Sequence, residues 1–132
     1  INPQNAAALN FLGYSLAEEG KDLDEAERYV RRALAIDPND GFYVDSLGWI
    51  YYQRGEFAQA VEELERAVEL TGDDPTITEH LADAYTQLGR ELEALRLYRD
   101  ALKRSEDASQ RARLEGKVRA MERADKSAAP RL

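Results

Sequence analysis

With 132 residues and a net charge of −8, the chain holds one domain's worth of material and can bury a moderate core without a metal or a disulfide. It has no cysteine, which excludes disulfides, thiolate catalysis and cysteine-type zinc sites but assigns no compartment. No stretch approaches the roughly 18 consecutive apolar residues of a membrane-spanning helix. Charge is unevenly spread, with a balance of −12 over residues 1–108 and +4 over residues 109–132. So acidic a body repels phosphate backbones, which argues against nucleic acid as a partner.

The chain opens INPQN, Ile1 to Asn5, and later reads IDPND, Ile36 to Asp40. The shared phrase predicts that residues 1–5 are the closing turn of a unit upstream. Asn5 is a good N-cap, and a first helix is expected through LNFLGYSL until Gly20 stops it. A second run places Ala26 and Ala33 on one face and ends near Pro38. After Asp40 the pattern begins again, with VDSLGWIY from Val44, then Gly55, Ala60 and Ala67. After Asp74 it begins a third time, with Pro75 at the favoured first helical position, TEHLADAY from Thr78, then Gly89, Ala94 and Ala101.

Three units follow, residues 6–40, 41–74 and 75–108. Gly13, Gly48 and Ala82 fall in register on the first helices, and Ala26, Ala60 and Ala94 on the second. These small residues predict close helix approach, with larger neighbours filling the space between successive helices. The first unit has one extra residue between Gly20 and Ala26, so its turn is expected to be longer. The third has Glu91 where the second has Phe57, so that turn is expected to be less buried. Beyond Ala108, Leu114, Val118 and Met121 share one helical face, predicting a capping helix over 109–124 and a flexible tail over 125–132. The fold class is all-α: three stacked helical hairpins and a C-terminal capping helix.

The pattern resembles the tetratricopeptide repeat family over roughly residues 6–108. The second unit carries Val44, Leu47, Gly48, Tyr51, Ala60, Leu64 and Ala67. The first carries Leu9, Leu12, Gly13, Leu16, Ala26, Val30, Ala33 and Pro38. The third carries Leu81, Ala82, Tyr85, Ala94, Tyr98 and Ala101, with Thr78 a poor match to the usual large residue. The resemblance implies a right-handed α-α superhelix, or solenoid, whose first helices line a concave groove. The groove residues are then Asn10, Tyr14 and Ala17 in the first unit, and Phe42, Asp45, Trp49 and Tyr52 in the second. In the third they are Thr76, Glu79, Asp83 and Thr86. A solvent-facing Trp49 with other aromatics nearby would anchor an interface.

The same resemblance implies a protein-protein interaction module, a scaffold or adaptor, rather than an enzyme. An aromatic floor with an acidic rim suits a protein or peptide carrying apolar anchors and basic residues. The alternative is a structural spacer or self-association segment of a longer solenoid. Family members that clamp a C-terminal carboxylate need cations where this chain has Asn10, Tyr14, Ser46, Thr76 and His80, so that mode is not expected. The wording of the repeats is also similar to C-terminal repeats of bacterial scaffolds, many attached to the cell envelope and some serving as protease adaptors.

Catalysis has little to stand on. His80 is the only histidine, and Ser46 is the only serine on a neighbouring first helix. Glu79-His80 lacks the second histidine of a zinc motif, and no phosphate loop is present. No metal or cofactor is expected, and His80 is expected at an interface or on the surface. Charges such as Asp24 with Arg28, Glu27 with Arg31 and Glu62 with Arg66 stand at helical pairing distance. The basic segment after residue 108 is expected to be a solvated cap.

Overall fold

A computed structural model of the chain describes residues 5–128, with side chains through 124. The described residues form seven helices and no strand. In order they are α1 (Ala6–Glu19), α2 (Leu23–Ile36), α3 (Gly41–Gln53), α4 (Phe57–Leu70), α5 (Pro75–Gln87), α6 (Glu91–Arg104) and α7 (Ala108–Ala128). The first six pair as consecutive hairpins. Each hairpin stacks on the next, so that α1 meets α3 and α3 meets α5. The expected all-α stack of three hairpins and a cap is the fold observed.

Local chemistry sets where the helices begin. The Asn5 side chain accepts from the Ala8 amide at 3.0 Å, Asp40 from the Phe42 and Tyr43 amides, and Asp74 from the Thr76 and Ile77 amides. Each satisfies amides that the first helical turn leaves without partners. The extra residue of the first turn is absorbed by the backbone: Gly20 takes φ of 67° and Asp22 takes φ of 48°. α2 therefore starts at the same distance from Ala26 as α4 and α6 do from Ala60 and Ala94.

Packing inside each hairpin depends on the small residues. A Cβ at Gly13 would lie 2.5 Å from Val30 Cγ2 and 2.8 Å from the Ala26 carbonyl oxygen, and one at Gly48 would lie 2.7 Å from Leu64 Cγ. Ala26, Ala60, Ala82 and Ala94 are fully buried. The largest apolar cluster joins Leu64 of α4, Leu81 and Tyr85 of α5, Tyr98 of α6 and Leu114 of α7.

α7 is the cap the sequence predicts. Leu114 is fully buried, and Val118 and Met121 pack against the same cluster. Glu115, which follows Leu114 as Gly48 follows Leu47, is exposed. The helix continues to Ala128, past the expected start of the tail at residue 125. Residues 129–132, and residues 1–4 with their expected closing turn, lie outside the described residues.

Other particulars differ from expectation. Asp24 reaches Arg54 across the hairpins at 2.6 Å, and Arg66 bonds the Pro38 carbonyl and the Asn39 side chain, whereas Glu27 and Arg31 pair as the spacing predicts. Thr78, in the seat of a large apolar residue, is 2% exposed, and its hydroxyl has no hydrogen-bond partner. A buried hydroxyl without a partner is destabilising.

Three substitutions test these contacts by urea denaturation. Gly13→Ala should lose about 1–3 kcal/mol, because the added carbon meets backbone as well as side chain. At Gly116, where a Cβ would meet nothing within 4 Å, the same change should be neutral or stabilising. Thr78→Val should stabilise the chain by about 1 kcal/mol by removing the stranded hydroxyl. A destabilised Thr78→Val would mean that the hydroxyl is satisfied in solution.

Candidate functional site

The first helices present their side chains to one face in a repeating order. On α3, Asp45 Oδ1 accepts a hydrogen bond from His80 Nδ1 of α5 at 2.8 Å, between residues 35 apart. On α5, Glu79 accepts two bonds from the Arg113 guanidinium of α7, both at 2.8 Å, between residues 34 apart. Arg113 thus stands to Glu79 as His80 stands to Asp45, so α7 takes the place of the first helix of a further unit. Lys117 adds bonds to Glu79 at 2.7 Å and to Asp83 at 3.0 Å.

These contacts shift the titration of the groups they join. Burial by itself would raise the Glu79 carboxyl, but the bonds from Arg113 and Lys117 and their charges outweigh it and hold it at about 2. Burial opposes a charge on His80, yet the charge and hydrogen bond of Asp45, then Asp83 and Glu79, lift the imidazole above its ordinary value. Tyr14 is pushed up by burial and by its 2.5 Å bond to Glu18. Burial and Asp83 do the same to Tyr98.

An aromatic column runs beneath the face. Trp49 stacks on Tyr52 with centroids 4.4 Å apart and planes 7° off parallel. On its other side it stacks on His80 at 4.1 Å, and Tyr52 meets Phe57 edge-on at 5.3 Å. The Trp49 indole nitrogen is buried without a hydrogen-bond partner. Trp49 is therefore half-buried in the chain's own stack, where the sequence predicts a solvent-facing side chain.

Two cavities open on this face. One, of about 300 Å³, is lined by Asn10, Tyr14, Phe42, Asp45, Ser46, Asp74, Thr76 and Ile77. The other, of about 340 Å³, is lined by Tyr14, Glu18, Trp49, Thr76, Glu79, His80, Asp83, Arg113 and Lys117. Both are walled by Tyr14 and Thr76, so they adjoin. Of the residues expected in a groove, Asn10, Tyr14, Phe42 and Asp45 line the first cavity, and Tyr14, Trp49, Glu79 and Asp83 line the second. Tyr52 lines neither and supports Trp49 from behind. Phe42, at 55% exposure, is the aromatic most open to solvent on this face.

The expected acidic rim is only partly open. Glu79 and Asp83 already hold cations from α7, and the basic segment is not merely a solvated cap: Lys117 is half-buried among carboxylates. His80, Arg113 and Lys117 are the site residues that reasoning from sequence missed. Their signal was the spacing, which sets each of the first two against a carboxylate one unit earlier.

Ser46 and His80 are each engaged with other groups. The Ser46 hydroxyl donates to the Phe42 carbonyl at 3.2 Å, while His80 holds Asp45. Among the described residues no group of histidines and carboxylates is arranged to hold a metal ion. No helix of the described residues is long and apolar enough to cross a membrane.

Comparison with known proteins adds three findings. Family profiles described as TPR repeat or Tetratricopeptide repeat match residues 2–41, 48–89 and 76–112. A TPR repeat-containing protein of Pseudomonas aeruginosa is 37% identical over 81 residues, which are 61% of this chain and 14% of that protein's length. The type III secretion translocator chaperone SycD of Yersinia enterocolitica superposes with a TM-score of 0.82 at 17% identity, covering 96% of this chain and 89% of that one. PcrH in complex with the chaperone binding region of PopD gives 0.81 at 19% identity, covering 95% and 96%. At such identities the two structures share the fold.

The Glu79 cluster makes an acid-range prediction. A carboxyl held near 2 when folded, against 4.5 as a free group, contributes stability that is fully present above pH 4.5 and is lost as pH falls towards 2. That contribution is roughly 3 kcal/mol. Stability followed against pH should fall less steeply over this window in Glu79→Gln than in the parent chain. Equal slopes would show that the cluster is not coupled to folding.

Proposed function

Because the chain belongs to the tetratricopeptide repeat family, we propose that it is a non-catalytic interaction module, a scaffold or adaptor segment that holds a partner polypeptide against its first helices. The observation that carries this reading is the pair of adjoining cavities with Phe42 at the mouth of the first. A phenylalanine 55% exposed beside Tyr14 and Ile77 leaves apolar surface in water that a partner side chain would cover. The remaining polar groups of the face are held in fixed positions by the Asp45–His80 and Glu79–Arg113 bonds, so little ordering is needed on binding. PcrH with its PopD segment shows that a protein of this fold is able to hold a polypeptide.

Within this reading the anchors are Phe42, Tyr14 and Asn10, with Asp45 as the polar contact. Trp49 and Tyr52 form the floor, while Glu79 and Asp83 position α7 at the far wall.

Site-directed photo-cross-linking in the full-length protein in its own cells tests the proposal. Phe42→benzoylphenylalanine should cross-link to a second polypeptide, whereas Leu92→benzoylphenylalanine, 70% exposed on a second helix, should not. Equal cross-linking from both positions, or none from 42, would sink the groove reading. Cross-links from 42 only to another copy of the chain would carry the self-association reading in its place. Once a partner is in hand, Phe42→Ala should weaken it by about 1–3 kcal/mol with the helical signal unchanged.

A further inference from the structure

Resting on the reading of this face as a polypeptide site, we infer that the partner presents a lysine or arginine beside a large apolar side chain, with the cation meeting Asp45, and that His80 behind Asp45 sets partner binding against proton uptake. The first cavity has apolar walls in Phe42, Ile77 and Tyr14 and two carboxylates in Asp45 and Asp74, and no lysine or arginine is among its lining residues. In the second cavity the chain answers its own carboxylates with Arg113 and Lys117. A full cation from a neighbouring helix is thus how this face satisfies a buried acid. At Asp45 the corresponding place is filled by an imidazole, which when neutral gives a hydrogen bond without cancelling the charge. In that neutral state the charge balance of the first cavity has room for a cation brought by a partner.

His80 is held on both sides. Its side chain is 9% exposed, with Nδ1 2.8 Å from Asp45 Oδ1, and its ring lies 4.1 Å from Trp49. The charges acting on it are Asp45 from α3 and Asp83 and Glu79 from its own helix. Arg113 and Lys117 of α7 and Tyr14 and Glu18 of α1 line the same cavity. Tyr98 of α6 donates to Asp83 and its ring centroid lies 5.5 Å from Lys117 Nζ, and α4 meets α5 through the apolar cluster around Leu81 and Ala82 and the Tyr85–Glu65 bond. Protonated, His80 cancels the charge of Asp45 and repels an arriving cation. Deprotonated, it leaves the carboxylate to the partner. Binding therefore tightens as pH rises through the titration of His80, and by linkage a bound cation makes His80 easier to deprotonate.

The test is selection of a random octapeptide display library on the full chain, at about pH 9.5 and about pH 5.5, the upper value set well above the ordinary imidazole range because the carboxylates around His80 raise it. Enriched peptides should carry Lys or Arg next to a large apolar residue. Resynthesised, they should bind the parent chain roughly five- to tenfold more tightly at the higher pH, within the usual size of coupling between sites. His80→Gln should keep the binding and lose the pH difference.

The chain has one tryptophan and one histidine, in contact, so the fluorescence of Trp49 follows the imidazole directly. Its titration midpoint should fall when a selected peptide is bound, which serves even if His80→Gln does not fold. Enriched peptides without a cation would overturn the partner chemistry and leave the groove reading standing. Equal affinity at both pH values, or a midpoint that peptide does not move, would overturn the part assigned to His80. If Phe42→Ala leaves the affinity of the peptides unchanged, the groove reading itself fails.

Discussion

The contact on which the rest depends is the close approach of the two helices within each hairpin. At Gly13 and Gly48 the partner helix comes so near that a single added carbon would collide with it. Such an approach lets the neighbouring large residues, Leu64 and Val30 among them, close over the gap without voids. It also fixes how far apart successive first helices lie. The spacing of the groove, and hence which side chains reach across it, follows from these packing positions rather than from the groove residues themselves.

Given that spacing, the polar face is ordered by one rule applied twice. A carboxylate on one first helix is met by a cationic or protonatable group on the next, Asp45 by His80 and Glu79 by Arg113. Buried acids that are paired in this way cost far less than unpaired ones. At the C-terminal end the rule joins the fold to its cap: α7 is docked by Leu114 on the apolar side and by Arg113 and Lys117 on the polar side. At the N-terminal end the same seat belongs to Phe11, which is 71% exposed. Leu9 of the same helix is buried at 3% exposure, because it packs with Tyr43 and Ala33 of the following helices.

The lining of the two cavities was legible in part. Asn10, Tyr14, Phe42 and Asp45 line a cavity, as expected of residues that packing does not consume. Trp49 and Glu79 share that register, yet one is stacked between Tyr52 and His80 and the other is closed by α7. A register position says which way a side chain leaves its helix. It does not say whether another part of the chain is already waiting there, since that depends on contacts 31 to 38 residues away. For the same reason Asp24 and Arg66, read as partners within their own helices, reach instead across to other segments.

What the sequence by itself determined is everything that repeats. The helix starts at Asn5, Asp40 and Asp74, the turns at their glycines, the hairpin pairing through small residues and the apolar face of the cap are all written in local spacing. Those features rest on interactions between near neighbours, or on a period that recurs and so can be checked against itself. What only the tertiary structure decided is where the pattern occurs once: His80 pressed between Asp45 and Trp49, the cations of α7 turned onto Glu79 and Asp83, and Phe42 left uncovered. Each is the outcome of competition among long-range contacts for the same charge or surface. Such a competition is resolved only when the helices are in place.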